Sequence, residues 1–126
     1  GAFAEMLDIS TDIDKAVLFG PVEILASNMP EETQKMAVTQ AEGLVGLGEA
    51  RAAEMGSQPF TQLVIDTPAG YVFLARESLP DGMTIMATGK RGSRVGLVLY
   101  DLRTCMRDAR EAMSAETPGG EGAEEA

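Results

Sequence analysis

"FTQLVIDTPAGYVFLARESLPDGMTIMAT", residues 60–88, decides the fold. It contains three runs rich in β-branched and aromatic residues: "FTQLVID" (60–66), "YVFLAR" (71–76) and "MTIMAT" (83–88). "TPAG" and "LPDG" separate them, and Pro and Gly so placed are turn chemistry. Connections this short favour antiparallel hairpins over crossovers. Tyr71, Phe73 and Ala75 lie on one side of the middle run, Val72 and Leu74 on the other. A sheet apolar on both faces needs helical cover on both.

Working outward, "KAVLFG" (15–20) and "VEILAS" (22–27) read as two short strands, with a tight hairpin at Gly20-Pro21. Phe3, Met6 and Leu7 share one side of a short first helix over 3–9, which "STDID" interrupts. "NMPEE" (28–32) starts a long helix. Asn28 or Met29 precedes Pro30 at the first helical position, and Glu31 and Glu32 favour the positive helix end. This helix runs to about Met55, where Gly56 can cap it. A last helix begins at Ser93, read as its N-cap, with a core stripe of Val95, Val98, Leu99, Leu102, Met106, Ala109 and Met113. Cys105 lies beside that stripe as a small apolar group. The order α-β-β-α-β-β-β-α defines an α+β chain.

The long helix has two apolar faces at 100° per residue. Ala37, Val38, Ala41, Leu44, Val45, Gly48, Ala52 and Met55 are assigned to the core. Met36, Thr39, Gly43, Gly46, Leu47 and Ala50 form the other. A glycine in a helix interior costs about 1 kcal/mol relative to alanine. Glycines at 43, 46 and 48 therefore ask for a packing reason, and close approach of a second helix supplies one; a loosely built or kinked helix is the alternative.

A chain of 126 residues, 44% apolar, suits one domain, here 3–115, followed by an acidic tail, "ETPGGEGAEEA" (116–126), expected to be disordered. Net charge is −10, and leaving out the tail still leaves sixteen acids against ten bases. Such a field repels nucleic-acid phosphates and anionic lipid, and no apolar run is long enough to span a membrane. Neither nucleic acid nor membrane insertion is expected. The start lacks the pattern of a secretory signal, and one lone thiol fits a reducing, cytoplasmic setting. Histidine is absent, which removes the commonest general base and zinc ligand.

"ATGKRGSRVG" (87–96) is the most basic stretch. The phosphate-loop pattern G-x-x-x-x-G-K-[ST] fails there, because Thr84 stands where the first glycine belongs and Arg91 where Ser or Thr should hold magnesium. A basic loop before a helix remains, read as a solvated turn, a partner contact or an anion site at Lys90, Arg91 and Arg94. "DISTDID" (8–14) lacks the glycine of a calcium loop, so Asp8, Asp12 and Asp14 are assigned to loop lead-in and helix capping. Arg103, Arg107 and Arg110 share a helical face near Asp108 and Glu111, either solvated or a docking strip for an acidic partner. No nucleophile motif appears, so no catalytic, metal or cofactor residues are expected.

"DKAVLFGPVEILASNMPEE" (14–32), "YVFLARE" (71–77) and above all "GLVLYDLR" (96–103) within the last helix resemble the Roadblock/dynein-light-chain domain family, in particular its bacterial members. The Gly20-Pro21 hairpin is tighter than the acidic-glycine turn of many members. The resemblance implies a profilin-like or longin-like sandwich with a five-stranded antiparallel sheet between helices. It implies a homodimer, or a heterodimer with a paralogue, in which third strands meet edge to edge and long helices lie side by side. Here that maps onto Thr61, Leu63 and Ile65 and onto Thr39, Gly43, Gly46, Leu47 and Ala50. The implied function is non-catalytic: a module that binds and regulates or scaffolds a small Ras-like GTPase. The alternative is a small-ligand or anion sensor on the same scaffold, using the loop at Lys90, Arg91 and Arg94.

Overall fold

Eight elements follow one another in the expected order: α1 (Ala2–Ile9), β1 (Ile13–Phe19), β2 (Ile24–Ser27), α2 (Glu31–Glu54), β3 (Gln62–Thr67), β4 (Gly70–Arg76), β5 (Thr84–Lys90) and α3 (Val95–Glu116). The structure, a computed structural model, describes residues 1–116. Glu116 closes α3, and the rest of the expected tail lies outside the described residues.

The strands form one antiparallel sheet in the order β2-β1-β5-β4-β3. The last strand in the chain thus sits in the middle, joining hairpin β1–β2 to hairpin β3–β4. Period-two alternation sorts the side chains. Leu18, Phe73, Ala75, Ile85 and Ala87 pack under Met6 of α1 and Val98, Leu102 and Met106 of α3. Val17, Phe19 and Leu74 face the other way, toward Ala37 and Ala41 of α2.

Local chemistry explains the ends of the elements. Gly56, at φ +68°, ends α2 as expected: its N–H bonds to the Ala53 carbonyl (3.0 Å) and that of Ser57 to the Ala52 carbonyl (2.9 Å). At the β3–β4 turn a Cβ on Gly70 would lie 2.3 Å from the Gly89 carbonyl oxygen, so no other residue fits there without moving a neighbouring strand.

Several expectations need correction. Pro30 has ψ 142° and stands before the helix, not as its first helical residue. Asn28 does not cap α2 but ties its lead-in to β1, accepting the Ala16 N–H (2.8 Å) and donating to the Asp14 carbonyl (2.9 Å). β2 begins two residues later than expected because the first hairpin turns over Gly20–Glu23, leaving Val22 91% exposed. Met55, assigned to the core, is 69% exposed, since it falls at the C-cap of α2 beyond the last buried contact at Ala52. Met113 is likewise exposed near the end of α3.

Candidate functional site

α2 approaches the sheet through small side chains. Ala37, Ala41 and Ala52 are buried, with Val38, Leu44 and Val45 half-buried between them. Gly48 explains itself: a Cβ there would lie 2.8 Å from the Phe60 ring. The helix's flank is held by an ion pair between Glu49 and Arg76, at the end of β4. The Nε of Arg76 is buried without a partner.

The other face of α2 is left exposed by the described residues. Thr39, Gly43, Gly46 and Ala50 are exposed; Met36 is 62% and Leu47 72% exposed. A Cβ on Gly43 or Gly46 would have no atom within 4 Å. Among the described residues these glycines therefore answer to no packing neighbour outside their own helix. β3 stands at the sheet edge, paired among the described residues with β4 alone. Leu63 and Ile65 are half-buried and point to the α2 side, in register with Leu74 and Val72. Thr61 lies just ahead of the strand, its carbonyl accepting the Arg76 N–H at 3.1 Å. α2 is tied toward the β3–β4 end of the sheet where Gly48 meets Phe60 and Glu49 pairs with Arg76.

The basic loop is organised differently from its sequence reading. β5 runs on to Lys90, so Gly89 and Lys90 belong to a strand. All three cations are engaged. Asp12, nearly buried, takes the Arg94 Nε (3.2 Å) and the Lys90 Nζ (3.5 Å). Arg91 pairs with Asp66 at 2.5 Å, bonds the Thr67 carbonyl at 2.6 Å and lies 5.0 Å over the Tyr71 ring. The Asp66 carboxylate raises the Arg91 pKa further.

Asp12 also caps α3. Its Oδ2 accepts the Arg94 backbone N–H at 3.0 Å, and that bond above all holds its carboxyl below the ordinary value, against the upward push of burial. Ser93, expected as the cap, instead donates its hydroxyl to the Lys90 carbonyl (2.6 Å). The Arg94 carbonyl accepts the Val98 N–H (2.9 Å), which places Arg94 at the cap position. The shallow cleft of about 520 Å³ here, lined by Asp12, Thr67, Thr88 and Lys90 among others, already contains the carboxylate its lysine pairs with.

On α3, Arg110 grips Glu77 (2.6 and 3.2 Å) rather than Glu111, and Arg103 reaches the Gln62 side chain. Burial and the nearby Asp108 push the Cys105 thiol up to about 11, which leaves it an apolar filler. Among the described residues no group of three or more His, Cys, Asp or Glu is placed to hold a metal. No described helix is long and apolar enough to cross a membrane.

A five-stranded antiparallel sheet with α2 on one face and α1 and α3 on the other is the fold of Roadblock/LC7 domains. Solved structures of that name, and of MglB proteins, are similar to it. A Roadblock/LC7 domain from Streptomyces avermitilis superposes with a TM-score of 0.76, covering 88% of this chain and 93% of that one at 14% identity. Myxococcus xanthus MglB gives 0.70 over 88% and 90% at 10% identity. The gliding protein mglB from Thermus thermophilus gives 0.68 over 83% and 80% at 15% identity. At these identities the likeness is one of fold. No protein-family model matches the chain, and no curated protein matches it by sequence.

Proposed function

We propose that this chain is a dimeric, non-catalytic interaction module of the cytoplasm that binds and regulates or scaffolds a small Ras-like GTPase. One observation supports this above the rest. α2 turns a continuous face of small and apolar residues to solvent, beside an unpaired edge strand. Glycines that weaken a helix without relieving any contact in the protomer gain a reason if a second helix lies against them. A second copy, or a paralogue, joined through β3 and α2 would use Thr39, Gly43, Gly46, Leu47, Ala50, Thr61, Leu63 and Ile65 together. The GTPase partner rests on the resemblance to the Roadblock family, whose members act on such enzymes without a nucleotide loop of their own.

Light scattering over a dilution series tests the dimer. A mass near twice 13.3 kDa is expected. Gly43→Lys with Gly46→Lys should reduce it to the monomer and abolish GTPase binding. A wild-type monomer, or a double variant that still dimerises and binds, would remove the physical basis of the proposal. The sensor reading has less support, because Lys90, Arg91 and Arg94 already hold Asp12 and Asp66. A panel of phosphates and nucleotides is expected to leave the melting temperature unchanged.

A further inference from the structure

α3 has an outer face of its own. Val98, Leu99, Leu102, Cys105 and Met106 turn inward, so Gly96, Tyr100, Arg103 and Arg107 form a strip on the solvent side. Tyr100 is 63% exposed, and Leu97 beside it is exposed too. Glu111, one turn past Arg107, is the exposed acid at the groove end of the strip. Asp101 turns instead into the cleft against α1, beside Glu5. Among the described residues Arg103 bonds neutral oxygens, the Gln62 side chain and the Thr61 carbonyl (3.5 Å). Arg107 has its neighbour Asp108 at 3.2 Å, an exposed contact that water and salt readily exchange.

Toward its C-terminal end the strip opens into a groove of about 410 Å³, lined by Leu79, Met106, Arg103, Arg107 and Arg110, with the acids Glu77 and Glu111 also in its wall. Its wall is fixed. Glu77 takes Arg110 with both oxygens and also accepts the Met83 N–H at 2.8 Å. Leu79 is exposed at a turn closed by the Gly82 N–H on its own carbonyl (3.1 Å), with Asp81 at φ 57°.

We propose that this strip and groove dock an acidic segment of a partner protein. Its carboxylates would pair with Arg103 and Arg107, and an apolar side chain would enter between Leu79 and Met106. Tyr, Arg and Met are the residues that interface cores favour. A guanidinium offers a carboxylate two parallel hydrogen bonds. The chain is acidic overall, at net −10, whereas the groove sets Arg76, Arg103, Arg107 and Arg110 against Glu77 and Glu111, so its lining is locally basic and complements an acidic partner. At physiological salt the screening length is about 8 Å, so the local charge decides which segment is accepted. The strip lies on the opposite side of the sheet from α2, and the inference does not rest on the dimer.

The test uses the full chain and a labelled synthetic peptide of mixed Glu and Asp with a central Leu-Phe pair. A second peptide carries Lys in place of every acid. The acidic peptide is expected to bind saturably, shifting the amide signals of Tyr100, Arg103 and Arg107, while the lysine peptide does not bind. Arg103→Glu with Arg107→Glu should weaken binding by about tenfold or more at an unchanged melting temperature, because both side chains are exposed. Absence of saturable binding, equal binding by the double variant, or better binding of the lysine peptide would each overturn the proposal.

Discussion

α3 and α2 lie on opposite faces of the same sheet, and they are held there differently. Over 22 residues α3 buries Val98, Leu99, Leu102, Cys105 and Met106 in one stripe. Over 24 residues α2 buries only Ala37, Ala41 and Ala52. Fully burying a Val, Leu or Met side chain contributes about 1.5–3 kcal/mol, and an alanine methyl well under half of that. α3 is therefore anchored within its own protomer. α2 is held by small contacts, the Glu49–Arg76 ion pair and its Gly56 cap, while Met36 and Leu47 turn outward. A helix so placed offers a face that no described residue covers, and the proposed second copy would cover it.

Substitutions can sharpen that contrast. The largest effect belongs to α3: Leu102→Ala, at a fully buried position, should destabilise by about 2–5 kcal/mol in urea unfolding. A loss under 1 kcal/mol would mean α3 is not the anchor described. Next is the inner side of α2. Gly48→Ala must push the Phe60 ring aside, and the cost of overpacking, about 1–3 kcal/mol, should outweigh the gain in helix propensity. Gly43→Ala, with open space around it, should go the other way and stabilise the isolated protomer by up to about 1 kcal/mol. Equal signs at 43 and 48 would break the distinction between the two sides of α2.

The mildest test is titration with acid. Burial pushes the Glu77 carboxyl up, but Arg110 and the Met83 N–H hold it below its ordinary value of 4.5. A folded pKa below the unfolded one contributes stability that is complete above about 4.5 and is lost as pH falls through the lowered value. Glu77→Gln should flatten this part of the unfolding profile between about pH 5 and pH 3. A profile identical to the wild type would show that the tie beneath α3 is already broken in solution.

The element order was legible because each strand and helix carries its own period and its own turn residues. "TPAG", "LPDG" and the Gly56 cap act on their immediate neighbours, and the structure uses them as read. The exposed face of α2 was legible for the same reason: helical spacing alone places 39, 43, 46, 47 and 50 together. Long-range partners were not legible. Asp12 caps α3 through the N–H of Arg94, 82 residues away, and Glu49 finds Arg76 across 27 residues. No local pattern announces such pairs. The reading of Ser93 as a cap failed for this reason, and the Arg110–Glu77 pair went unread for it too. Met55 and Met113 have the right spacing for the core but fall at or near helix ends, where the sheet offers less beneath them.

The central place of β5 bears on how the chain is made. A ribosome releases β1–β2 and β3–β4 as hairpins that can each close locally, yet nothing joins them until residues 84–90 emerge. Until then the inner edges of β1 and β4 stand open, and Val17, Leu18, Phe73 and Leu74 lack the strand that lies between them in the finished sheet. Two-thirds of the protein is thus synthesised as parts that cannot yet be a domain, and translation of one seven-residue strand turns them into one. A nascent chain stopped at Gly82 should be digested freely by protease, and one extended past α3 should resist.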